Sequence, residues 1–84
     1  MNSSVKLKVR IKLERLMQLA TNVYAMSDIG AAWNQYDVLA IDRINELLKR
    51  LDEGTISPVD LVRANAWYNH YFDRYARLKR LRKA

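Results

Sequence analysis

Arg63, Trp67, His70, Arg74 and Arg77 follow one another at alternating steps of four and three residues. On a helix that spacing gathers three guanidinium groups, an indole and an imidazole on one face. Such a set binds rather than reacts. Guanidinium groups neutralise phosphates while neighbouring rings stack on bases. The same pairing is favoured where proteins dock on one another. Arg80 and Arg82 extend the charge, and together with Arg74, Arg77, Lys79 and Lys83 they put six basic residues among the last eleven. That exceeds what is needed to complement a helix C-terminus. A second cationic cluster lies at the other end, where Lys6, Lys8 and Arg10 alternate with Val5, Leu7, Val9 and Ile11.

Catalysis finds no comparable support. The chain contains no Cys, and His70 is its single His. Nucleophilic triads and His-rich metal sites both need partners that this residue lacks. A lone His on a helix rich in Tyr and Arg is ordinarily a surface or interface residue. Asp42 and Glu46 are one helical turn apart, a spacing that binds metal in some helical bundles. Arg43 and Arg50 nearby make a solvated helix face the simpler reading. Two Gly residues cannot form a phosphate-cradling loop. The expectation is a protein that is not an enzyme and has no cofactor.

The elements that would position these side chains are helices. With 84 residues, 2 Gly and 1 Pro, the chain is one domain with few turns. The clearest boundary is Leu51-Asp52-Glu53-Gly54-Thr55-Ile56-Ser57-Pro58-Val59-Asp60. Gly54 suits the left-handed residue that closes a helix. Ser57 suits an N-cap, Pro58 a first helical position, and Asp60 the free amides of a first turn. Before this loop, Ile29, Trp33, Tyr36, Ala40, Ile44, Leu47 and Leu51 step by three and four, predicting a helix over 28–52 with Ser27 as its cap. Gly30 weakens its start. After the loop, Leu61, Ala64, Tyr68, Tyr71, Tyr75 and Leu78 form a seam over 58–82. Leu13, Leu16, Met17, Ala20, Val23 and Tyr24 predict a first helix over 12–26.

Residues 5–11 are ambiguous. Strict alternation is the signature of a strand, and cations near a helix N-terminus oppose its dipole. A lone strand would need a second copy or another protein to pair with. As a strand, the segment would turn Lys6, Lys8 and Arg10 to one side, as in a two-stranded ribbon lying in a DNA major groove. Followed by Leu13, Leu16, Leu19 and Ala20, and then by Ser27 opening a second helix, it resembles the ribbon-helix-helix pattern of dimeric repressors. The match is incomplete, because Val23-Tyr24-Ala25-Met26 carries no Gly and Lys12 stands where an N-cap belongs.

The fold expected is all-α: a small single three-helix domain spanning 1–84, with a C-terminal antiparallel helical hairpin and a basic N-terminal arm at 1–11, helical or a short strand. The net charge of +6 favours an anionic partner. The leading expectation is a small regulatory protein binding nucleic acid, DNA ahead of RNA, through the two basic clusters. The alternative is a protein-interaction module, such as an inhibitor, an adaptor or a virion component, that meets an acidic surface through the aromatic last helix. A domain this small without disulfides gains from self-association, so a homodimer or a place in a larger assembly is expected. No apolar run approaches the roughly 18 residues needed to span a bilayer. The segment MNSSVKLKVRIKLERL lacks the apolar stretch of a secretory signal, so a cytoplasmic location is expected.

Overall fold

The computed structural model describes residues 3–26 and 34–83, without the side chains of Asn34, Arg82 and Lys83. It is all-helical: α1 (Ser3–Met26), α2 (Asn34–Glu53) and α3 (Pro58–Lys83), with no strand among the described residues. The expected cap at Ser27 and the stretch from Asp28 to Trp33 lie outside the described residues.

The strand reading of residues 5–11 is corrected. They belong to α1, which starts at Ser3 rather than at residue 12. The physical reason is a helical stripe that begins earlier than the alternation suggests. Val9, Leu13, Leu16, Ala20 and Val23 step by four and three, and all five lie in or against the core. Arg10 adds an ion pair with Asp52 at the end of α2. Packing outweighs the unfavourable dipole of the early lysines, since burying one aliphatic side chain stabilises by about 1.5–3 kcal/mol and a dipole interaction is worth about 0.3–1 kcal/mol. Leu7 and Ile11, the other half of the alternation, are left on the outer face. With the ribbon gone, the resemblance to ribbon-helix-helix repressors loses the residues that carried it.

The turn between α2 and α3 follows its local chemistry. Gly54 adopts φ +74°, a left-handed conformation. The Gly54 amide donates to the Leu51 carbonyl at 3.2 Å and the Thr55 amide to the Arg50 carbonyl at 2.9 Å, the pair of bonds that ends a helix on glycine. At the start of α3 the Ser57 amide donates to the Asp60 carboxylate at 3.0 Å. The Asp60 amide returns a bond to the Ser57 hydroxyl at 3.3 Å. This reciprocal cap satisfies two otherwise unpaired amides. It also holds the Asp60 carboxyl below its ordinary pKa: the bond from the Ser57 backbone dominates, and Arg50 contributes further.

Helix directions follow from the cross-links. Arg50 meets Asp60 at one end of α2 and α3, and Asp37 meets Tyr71 and Arg74 towards the other, so these helices run in opposite directions. Lys12 bonds Asn65, and Val9 and Lys12 share a hollow with Leu61 and Ala64, which sets α1 parallel to α3. The close backbone approaches are those of α1 to α2 and to α3, while long side chains bridge α2 and α3. The core collects Leu13, Leu16, Val23, Ile44, Leu51 and Tyr71. None of the helices described is long and apolar enough to cross a membrane.

Candidate nucleic-acid interface

Sequence spacing placed five residues of α3 on one face, and the structure turns much of that face towards α2. Arg74 donates from Nη1 at 2.5 Å and Nη2 at 3.2 Å to the two carboxylate oxygens of Asp37. Asp37 is completely buried. The Tyr71 hydroxyl donates to the same carboxylate at 2.8 Å. The Tyr71 hydroxyl is therefore held far above its ordinary pKa, by burial first and by the carboxylate second. The Arg74 guanidinium also lies 5.5 Å from the Tyr71 ring centre. Its charge is thus committed inside the fold.

His70 is half-buried, with its ring edge-on to Tyr36 at 5.5 Å and to Tyr71 at 5.0 Å. Its pKa is lowered by burial first and by Arg74 second, against the opposing pull of Asp37 and Asp73. Trp67 is partly buried against the core. It shares a small cleft with Arg63, Arg43 and the Glu46–Arg50–Asp60 ion pairs. Arg77 is exposed and pairs with Asp73 at 3.1 Å. Arg80 is exposed and donates to the Ala76 carbonyl. The side chain of Arg82 is outside the described residues. At the other end Lys8 is exposed, Lys6 borders a hollow with Leu51, Ile56, Pro58 and Leu61, and Arg10 is tied to Asp52. The residues singled out from sequence are therefore not one surface.

A different face carries part of the charge that has no carboxylate partner among the described residues. It follows the groove between α1 and α3. Lys8, Lys12 and Arg15 fall at steps of four and three on α1, so they share a side. Lys12 marks which side: its ammonium bonds Asn65 and lies 5.9 Å from the Tyr68 ring centre. On α3, Phe72 lies nearly parallel to Tyr68, with centroids 6.2 Å apart and planes 18° apart. Lys79 stands 5.3 Å from the Tyr75 ring centre. The register of the parallel helices puts Arg15 level with the Tyr68–Phe72 turn. None of Lys8, Lys12, Arg15 and Lys79 has a carboxylate partner among the described residues.

Charge is also divided by helix. α1 carries five basic residues against one acidic, and α3 seven against two, whereas α2 carries three against five. On α2, Asp42, Glu46 and Glu53 are exposed and, at spacings of four and seven, share the side opposite the buried Ala40, Ile44, Leu47 and Leu51. The cationic groove and the acidic ridge therefore face apart.

Of the groove cations, the sequence marked Lys8 in the N-terminal cluster and Lys79 in the C-terminal one, and left Lys12 and Arg15 unmarked. The signal for Lys12 and Arg15 was present in the four-and-three spacing of Lys8, Lys12 and Arg15, and it was hidden while residues 5–11 stayed open between strand and helix. Among the described residues no group of three or more His, Asp or Glu is placed to hold a metal ion. No family model, curated protein or solved structure matches the chain.

Proposed function

We propose that the protein is a small, non-enzymatic regulatory protein that binds nucleic acid along the α1–α3 groove. The observation that carries this reading is the row Lys8, Lys12, Arg15 and Lys79, without a carboxylate partner among the described residues and beside Tyr68, Phe72 and Tyr75. Solvated lysines serve solubility alone when scattered. Here they line one groove while Asp42, Glu46 and Glu53 of α2 lie on the opposite side. A polyanion is the partner that such a division selects.

Binding of labelled oligonucleotides at about 50 and 200 mM salt tests the reading, because each phosphate contact contributes a slope of about −0.7 to −0.9 in log affinity against log salt. Lys8→Glu with Lys12→Glu and Arg15→Glu should weaken binding sharply and flatten that slope. Absence of binding at the lower salt rejects the proposal. Arg74 is unsuitable for this test, since its removal strands buried Asp37.

A second reading, a protein-interaction module, is favoured by one other feature. Val59 and Val62 on the outer side of α3 are 59% and 68% exposed. Val62→Glu should leave oligonucleotide binding intact and abolish any self-association seen by sedimentation. If no association is seen at any concentration, the patch does not join copies of this chain.

A further inference from the structure

We infer that the ligand of the α1–α3 groove is single-stranded nucleic acid, with one unpaired base stacked on Phe72. This rests on the proposal that the groove binds nucleic acid, and it names the form of the ligand.

The argument begins with what a duplex would need. Its bases are stacked on one another, so a protein reaches them only by pushing a helix, ribbon or arm into a groove. The ribbon that the sequence suggested does not exist, because residues 5–11 are part of α1. The cationic face is the shallow junction of two parallel helices, and the cations on it run along the groove. Such a face follows one backbone.

Phe72 is the second element. It is 56% exposed, although Tyr68, Tyr71 and Tyr75 on the same helix are buried or half-buried. Its ring lies nearly parallel to that of Tyr68 and offset beside it, with centroids 6.2 Å apart, and more than half of the residue stays open to solvent. Lys12 flanks Tyr68 on one side of it, and Lys79 flanks Tyr75 on the other. A phenyl ring offers nothing to a phosphate oxygen. It offers an unpaired base a stacking surface, with cations on either side for the phosphates before and after. From the level of Lys8 to that of Lys79 the groove runs about 27 Å at 1.5 Å rise per residue. That suits a strand of several nucleotides.

The test compares one short sequence as single-stranded DNA, as single-stranded RNA and as a DNA duplex, for the wild-type chain, Phe72→Ala and Phe72→Trp. Circular dichroism of each variant confirms that the helices persist, as an exposed ring predicts. Either single strand should bind more tightly than the duplex, and the preferred strand identifies the sugar. Phe72→Ala should lower single-strand affinity about tenfold, within the range of one base–ring stack, and leave duplex affinity unchanged. Phe72→Trp should restore it. Two outcomes overturn the inference while leaving phosphate binding in place: tighter duplex binding, or an equal loss for both forms in Phe72→Ala. If no oligonucleotide binds, the underlying nucleic-acid reading falls too. A loss of protein capture, rather than of strand binding, in Phe72→Ala would assign the ring to a protein contact and overturn the inference.

Discussion

A single carboxylate organises the junction of α2 and α3. Asp37 receives two bonds from Arg74 and one from Tyr71 in a site closed to water. Removing one partner of a buried ion pair leaves the other charge without compensation and typically costs about 3–5 kcal/mol. Asp37→Ala should therefore destabilise the fold by about that amount in urea unfolding, and Tyr71→Phe by about 1.5–3 kcal/mol, the worth of a hydrogen bond to a charged group. If Asp37→Ala unfolds like the wild type, the triad contributes little. His70 beside it makes stability depend on pH. Its folded pKa is depressed, so the unfolded chain binds the proton more readily. Its contribution is full above the unfolded value near 6.5 and is lost as the pH falls through the folded value. His70→Gln should flatten the fall in stability over that window. An unchanged pH profile would place the effect elsewhere. The seam of Tyr68, Tyr71 and Tyr75 was legible in the sequence because spacing alone reveals it. The partnership of Arg74 with Asp37 was not, although Asp37 continues the 40–44–47–51 stripe by one further step of three. A charged residue in register with an apolar face signals a buried pair, and the sequence does not say which cation completes it.

At the scale of elements, local chemistry was readable wherever it acted locally. Gly54, Ser57, Pro58 and Asp60 each carry a conformational preference that no distant contact opposes, and each occupies the position it favours. Gly54→Ala should cost about 1–2 kcal/mol, the strain of a left-handed residue bearing a Cβ. The cost comes from the backbone alone, because the added atom would meet nothing within 4 Å. Ser57→Ala should cost about 1 kcal/mol through the lost cap. Thermal unfolding of the two variants checks both values, and near-wild-type melting would contradict them. Residues 5–11 stayed ambiguous in the sequence because two periodicities compete there. The alternating one is the more regular, but the helical one connects Val9 to Leu13 and to a core four turns long. Tertiary burial decides between them, and it lies outside a seven-residue window.

The whole molecule is long and narrow, 45 × 22 × 16 Å, with a radius of gyration of 13.8 Å, against about 12 Å for a compact domain of this length. Its three rods give it two dissimilar flanks, one basic and one acidic. The total charge was readable at once, and the division was not, because it depends on α1 lying beside α3. A body with this distribution is an electric dipole across its short axis. In the field of a polyanion it experiences a torque as well as an attraction, so it is turned the right way round before contact. Adding positive charge to the wrong flank should then be counterproductive. Asp42→Lys with Glu53→Lys raises the net charge yet narrows the asymmetry, leaving α2 with five basic and three acidic residues, and encounters should arrive less well oriented, read as a lower association rate at low salt.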